Sequence, residues 1–246
     1  MRLYARPSKT FFFNMLARKL SGFSKGIALD AASANFKNRR LFETEGYVGV
    51  DLDAEAVKEG LKKYPDQRNV GIVGDMNALG ALPAGSFSLV VSTNTLDHLH
   101  AREIEPAIAA LARLTSSDGM LFLQLSLPNL GDNTVSALKR TFKSVRVRYY
   151  RNKLSNLYEK IFERDGELAY HPIASSRPFL ALSFLLSRLE YLTGFFPRLN
   201  MQAFIICTGK PPHQSTGANW CGGEKGADGT FDTSKLQKIG NRLYKI

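Results

Sequence analysis

The sequence predicts an α/β fold: a doubly wound, mostly parallel sheet of seven strands with helices on both faces. Two observations carry this. Seven short apolar runs of strand composition, each bounded by turn residues, recur along residues 1–210. Segments with apolar residues at helical spacing separate most of them, and strands alternating with helices wind into a parallel sheet covered on both sides. Both patterns are clearest over residues 26–51, GIALDAASANFKNRRLFETEGYVGVD: a buried strand, a turn of small residues, a short helix, and a second strand ending on a carboxylate.

The elements follow in order. The opening MRLYARPSKTFFFNMLARKL predicts a basic amphipathic helix packed on the domain. Its apolar stretch, residues 11–16, is interrupted at Asn14 and followed by Arg18 and Lys19. That is shorter than the roughly 7–15 residue apolar core of a secretion signal. Residues 26–29 and 47–50 are the first two strands, and 54–64 a helix with Ala56, Val57 and Leu61 on one face. Residues 69–74 form a third strand ending at Asp75, and 86–92 a fourth. Ile104, Ile108, Leu111 and Leu114 mark a helix over 103–114, and Asp118-Gly119 turns the chain into a fifth strand, 120–125. Asp132 or Asn133 is placed to cap a helix carrying Val135, Leu138 and Phe142. Residues 144–150 are a sixth strand and 201–208 the last.

Between those two strands, residues 151–199 break the rhythm and predict a helical insertion or lid. Leu154, Leu157, Tyr158, Ile161 and Phe162 outline a short amphipathic helix, and residues 177–194 are apolar almost all round until Arg188 and Glu190. The latter segment fits a core helix, a lid over a greasy substrate, or a helix lying in a membrane interface beside Arg177, Arg188 and Arg198. Residues 1–210 therefore form one domain, and the polar, Gly-rich residues 211–246 are expected to be a flexible tail.

Hydrophobic content of 44% and charged content of 22% are ordinary for a globular chain. A net charge of +11 is not, and it points to an acidic partner: an anionic membrane surface, an acidic substrate or nucleic acid. Aromatic residues interleave sparsely with the basic ones, which argues against nucleic acid. Cys207 and Cys221 make neither a disulfide framework nor a metal-ligand spacing, as expected in a reducing cytoplasm. No stretch reaches the roughly 18 apolar residues of a membrane span.

Chemistry concentrates at the first turn. Asp51 follows Asp30 by 21 positions, near the spacing of about 20 at which nucleotide-binding α/β folds hold a ribose hydroxyl. Asp51 also suits an N-cap for the helix at 54. Ala32 and Ala34 stand where a phosphate-cradling turn wants glycine, and no Lys or Arg lies between Asp30 and Phe36. A dinucleotide is disfavoured, and a nucleoside without phosphates fits better, S-adenosylmethionine being the common one. Alanine is tolerated there if the turn keeps negative φ, which is the expectation.

The order of these signals resembles the class I S-adenosylmethionine-dependent methyltransferases, particularly the type 11-like subgroup that methylates small molecules and lipids. ALDAASAN lies where the family has a strand and D-x-G-x-G, and YVGVDLD matches its second strand and ribose-binding acid. GDMNALGALPAGSFSLVVSTNTLDHL matches the run from the adenine-binding acid to a His-Leu after the fourth strand, and LARLTSSDGMLFLQLSLP the turn into the fifth. The resemblance implies a Rossmann-like methyltransferase fold with an antiparallel last strand. It implies that Asp51 accepts from the ribose, Leu52 packs on the adenine, and Asp75 with Met76 holds the adenine edge. Asp30, Ala32 and Ala34 would line the methionine half, and Thr93 would sit near the sulfonium. His98 is placed to deprotonate an acceptor or to serve a structural role, with Asp97 orienting it or capping. Asp75 equally suits a plain turn. The activity implied is methyl transfer to a small-molecule or lipid-like acceptor, with possible contact at an anionic membrane. The alternatives are a catalytically silent binding module and, on charge alone, a nucleic-acid methyltransferase.

Overall fold

The computed structural model describes residues 4–76, 79, 82–164, 167–170, 172–211 and 243–245. Helix α1 (Pro7–Leu20) leads into β1 (Ile27–Ala31), β2 (Gly46–Asp51), α2 (Ala54–Lys63), β3 (Asn69–Gly74) and β4 (Phe87–Ser92). Then come α3 (Ala101–Leu114), β5 (Thr115–Ser126), α4 (Asp132–Thr141), β6 (Ser144–Asn152) and α5 (Lys153–Phe162). A hairpin of β7 (Glu163–Arg164) and β8 (Glu167–Tyr170) precedes α6 (Arg177–Thr193), β9 (Asn200–Thr208) and β10 (Leu243–Lys245).

The main sheet runs β10-β3-β2-β1-β4-β5-β9-β6. Strands β3, β2, β1, β4 and β5 are parallel, and β9 inserts antiparallel between β5 and β6. The seven expected strands are all present, with the antiparallel one last among them. The eighth, β10, pairs antiparallel with β3 and comes from the segment expected to be a flexible tail. The central strands are apolar on both faces because both are covered. One face packs Leu29, Val50 and Leu121 under Ile104, Ile108 and Leu111 of α3 and Leu138 of α4. The other packs Ala28, Tyr47, Phe122 and Phe204 under Phe11, Phe12, Met15 and Leu16 of α1 and Val57 of α2. Lys210, just past β9, donates from Nζ to the carbonyls of Ala112, Arg113 and Thr115 at 3.0, 3.0 and 3.1 Å, closing the C-terminal end of α3 with a cation.

Two local expectations are corrected, and one open alternative narrows. Between β1 and β2 the chain forms only a single 3₁₀ turn, Arg39–Leu41, instead of a short helix. Its apolar residues lack helical spacing, and Phe36 adopts φ 56, which a right-handed helix cannot contain. Helix α4 starts after Gly131, with neither Asp132 nor Asn133 acting as cap. Finally, α5 and α6 are turned opposite to a core helix. The buried residues of α6 are Ser183, Ser187 and Glu190, while Leu182, Leu185 and Leu192 are exposed. In α5, Ser155, Tyr158 and Glu159 face inward, and Leu154, Leu157 and Ile161 outward. The inward acids are bonded. The backbone N–H of Asn152 donates to both oxygens of Glu190 at 3.1 Å, and Ser8 donates to Glu159 through both its amide, at 3.0 Å, and its hydroxyl. Ser183 Oγ donates to the Tyr4 carbonyl at 2.8 Å, fixing α6 against the start of α1.

Candidate functional site

The residues singled out from the sequence lie at the carboxyl ends of β1 to β4, where open parallel sheets bind ligands. The turn after β1 is unusual. Ala32, Ala34 and Phe36 have φ of 63, 47 and 56°, so the expected negative φ is overturned. A non-Gly residue pays about 1–2 kcal/mol to sit there, and neighbours must over-determine the conformation. They do. Ser33 N donates to the Val50 carbonyl at 2.9 Å, and Ala34 N to Asp51 Oδ2 at 2.7 Å. The Phe36 ring is wholly buried, 5.1 Å edge-on from Tyr47. It fills space left by two glycines: a Cβ built on Gly49 or Gly60 would lie 2.3 or 2.6 Å from that ring. The turn thus keeps, on alanines, a backbone that glycine would adopt without strain.

Asp51 accepts from Ala34 N through one oxygen and from Asp53 N, at 3.0 Å, through the other. The cap of α2 is Asp53, which accepts from Glu55 N and Ala56 N at 2.9 and 3.1 Å. That removes the N-cap role from Asp51. Two of the roughly four lone-pair sites on its carboxylate remain for a ligand. Leu52, next along, is 73% exposed despite its apolar side chain. Asp75 is half-buried at the end of β3, and Met76 is buried in the core beneath it.

Asp30 is fully buried and accepts from Tyr47 Oη at 2.9 Å through Oδ2. Burial lifts its pKa to about 7, against the lowering effects of the Tyr47 bond and the Lys37 charge. Its other oxygen, Oδ1, has no hydrogen-bond partner among the described residues, and neither do the buried Asn38 Oδ1, Ser92 Oγ and Gln124 Nε2. These four atoms belong to one neighbourhood of the sheet. Ser92 is aligned with Ala31 on β1 and Leu123 on β5. Asn38 Nδ2 donates to Thr93 Oγ1 at 3.3 Å, and the backbone of Asn94, itself at φ 58, donates to Gln124 Oε1 at 2.5 Å. Thr93 is therefore buried and bonded at the lip of this group.

His98 is exposed in a 3₁₀ turn, Leu96–His98, after β4. Asp97 serves the backbone rather than the ring beside it. Its carboxylate accepts from Ser126 N at 2.8 and 3.0 Å and from Asn129 Nδ2 at 2.9 Å, tying the β4 loop to the end of β5. Cys207 lies buried in β9 with its thiol pushed up to about 12 by burial, so it is no nucleophile. Sequence reasoning missed Asn38, Tyr47, Ser92 and Gln124. Only Gln124 carried a signal, as the one polar residue inside the apolar run MLFLQL.

Residues 26–123 match the family model described as a methyltransferase domain. Over these residues the chain is similar to the class I S-adenosylmethionine-dependent methyltransferases of the type 11 kind. No curated protein matches its sequence. Among solved structures, phosphoethanolamine N-methyltransferase 2 of Haemonchus contortus, bound to phosphomonomethylethanolamine and S-adenosylhomocysteine, superposes with a TM-score of 0.53 at 14% identity. The match covers 81% of this chain and 53% of that one, so the chain spans about half the length of the Haemonchus enzyme. A SAM-dependent methyltransferase from Archaeoglobus fulgidus gives a TM-score of 0.50 at 14% identity, over 81% of this chain and 93% of that one. The [4+2]-cyclase SpnF gives 0.51 at 11% identity, over 82% of this chain and 81% of that one. A cyclase on this fold means that the fold alone assigns no reaction.

Proposed function

We propose that the protein transfers a methyl group from S-adenosylmethionine to a small-molecule or lipid-like acceptor. The observation that supports this most is that four of the buried polar atoms without a partner, on Asp30, Asn38, Ser92 and Gln124, lie on β1, β4 and β5 toward their carboxyl ends and in the loop after β1. Orphaned buried groups cost about 1–3 kcal/mol each, and a polar ligand beside them removes that cost. In this assignment Asp51 accepts from the ribose hydroxyls, the exposed Leu52 covers the adenine, and Asp75 and Met76 hold its edge. Asp30, Ala32 and Ala34 border the methionine half, and Thr93 lies nearest the reacting end. Bound S-adenosylmethionine supplies an activated methyl group on a sulfonium. The chain's own task is to hold the acceptor atom in line with it, near 3–3.5 Å, and to keep water out. His98, exposed in the turn after β4, is the group proposed to take a proton from the acceptor. On this reading the enzyme works in the cytoplasm, with peripheral contact at an anionic membrane where its acceptor is a lipid.

A silent binding module is the second hypothesis, and one observation favours it: the Asp51 carboxylate already holds Ala34 and Asp53, and two alanine methyl groups crowd the turn. Calorimetric titration with S-adenosylmethionine and S-adenosylhomocysteine separates the two. Binding of both is expected, and Asp51→Ala should weaken it by about 1.5–3 kcal/mol, the scale of a lost charge-assisted hydrogen bond. An unchanged affinity would take Asp51 out of the site. No binding by the natural protein, but binding by an Ala32→Gly, Ala34→Gly variant, would establish the silent module.

A further inference from the structure

Residues 153–201 present an apolar surface that nothing described in the chain covers. On α5 it consists of Leu154, Leu157 and Ile161, and on α6 of Leu182, Leu185 and Leu192. It continues past the end of α6 into Phe195 and Phe196, each more than half exposed. The two helices are neighbours: Phe162 and Phe179 stack edge-on at 5.1 Å, and Tyr158 Oη donates to the Phe179 carbonyl at 3.1 Å. Of the twelve large apolar side chains exposed on the described residues, all but Leu52 lie between positions 154 and 201. Chance does not concentrate exposed leucines on two adjacent helices whose serines and glutamates point inward.

The exposed charges of α5 and of residues 177–201 share one sign. Lys153, Lys160, Arg177, Arg188 and Arg198 are exposed, whereas Glu159 and Glu190, the acids within 153–162 and 177–201, are buried. The guanidinium of Arg188 rides 4.8 Å from the Phe184 ring and that of Arg148 3.8 Å from the Phe195 ring, so cations and apolar groups are interleaved. We infer that the outer face of α5 and α6 docks on an anionic lipid bilayer, with the leucines and phenylalanines entering the interface and the Lys and Arg side chains meeting phosphate headgroups. The helices lie on the membrane rather than across it, since no helix among the described residues is long and apolar enough to span one.

Charge decides between this occupant and two others. A second copy of the chain would bring this basic, +11 molecule against its own like-charged face. The chain's own C-terminal segment reaches the sheet at β10, on the edge opposite β6 and therefore opposite α5. Docking would also orient the candidate site. α6 is bonded through Ser183 to Tyr4, just ahead of α1, and α1 packs on the sheet that carries the candidate site. That the acceptor arrives from the bilayer rests on the methyl-transfer proposal; the docking does not.

The test is co-sedimentation of the full chain with vesicles of phosphatidylcholine alone or mixed with phosphatidylglycerol. Binding to the mixed vesicles only, weakened by added salt, is expected. Leu157→Ser, Leu185→Ser and Leu192→Ser together should weaken it about tenfold or more with an unchanged thermal melt, because these side chains contact solvent. Arg188→Glu with Arg198→Glu should do the same. Failure to bind mixed vesicles overturns the inference, as does binding that the triple Leu variant retains. So does a concentration-dependent dimer, seen by sedimentation velocity, that the triple variant abolishes. Calorimetry with S-adenosylmethionine on the same triple variant keeps the two proposals separate: lost vesicle binding with intact cofactor binding touches only the docking face.

Discussion

The two ends of the sheet handle apolar side chains in opposite ways. Around β1 to β5 the leucines and phenylalanines are inside, and the buried polar atoms left without a partner there lie toward the carboxyl ends of the strands. Across residues 153–201 the leucines are outside, and the buried acids Glu159 and Glu190 are engaged by backbone amides. In each region the misplaced groups are the informative ones. A buried polar atom without a partner marks where a polar ligand fits, and an apolar face left in water marks where a greasy one does.

The same substitution made at both ends gives the widest contrast. Leu29→Ala, wholly buried on β1, should cost about 2–5 kcal/mol, whereas Leu185→Ala, 63% exposed, should change stability by less than about 0.5 kcal/mol. Urea denaturation at fixed pH measures both, and a large loss at Leu185 would show that α6 is covered by something in solution.

A smaller effect tests whether Asp30 is buried as tightly as it looks. Its pKa stands at about 7 in the fold against an ordinary 3.8, so the folded protein holds a proton that the unfolded chain has released between those values. Its contribution is fully present below pH 3.8 and is lost as pH rises through 7. Across pH 5.5–7 that amounts to about 2 kcal/mol of stability lost with rising pH, at about 1.4 kcal/mol per unit. Asp30→Asn should flatten this slope. A variant whose stability falls with pH as steeply as the natural protein's would place the proton on another group.

The smallest effect concerns the turn. Ala32→Gly and Ala34→Gly each relieve a left-handed alanine but free the unfolded chain, so each should raise stability by about 0.5–1 kcal/mol, seen as a higher Tm. A lower Tm would mean that the alanine methyl groups make contacts worth more than the strain.

The parallel core was legible in the sequence because buried strands are continuous apolar runs and their order is the order of the chain. The elements expected at 69–74 and 144–150 correspond to β3 (Asn69–Gly74) and β6 (Ser144–Asn152). What periodicity cannot show is which side of an amphipathic helix faces in. The spacing of Leu154, Leu157 and Ile161 on α5 is the same whether that stripe meets a core or a membrane. The backbone of the first turn was hidden too, because Ala32 and Ala34 argue for negative φ until Phe36, Gly49 and Asp51 are seen holding the opposite. Asp51 was singled out by spacing and Leu52 by the family resemblance. Asn38 and Tyr47 were not, since their roles depend on partners distant in sequence, Thr93 and Asp30.

The position of β9 between β5 and β6 has a consequence for the order of events during synthesis. Strands β1 to β5 need only residues up to 126 to pair with one another. β6 pairs with β9 alone, which begins at Asn200, so it waits unpaired while the intervening residues are made. At a pace of about 5–20 residues per second that interval lasts on the order of seconds, far longer than hairpin or helix formation. Through it, the nascent chain carries the open edges of β5 and β6 and helices with greasy outer faces, a state in which a nearby bilayer or chaperone would find this protein at its most adhesive.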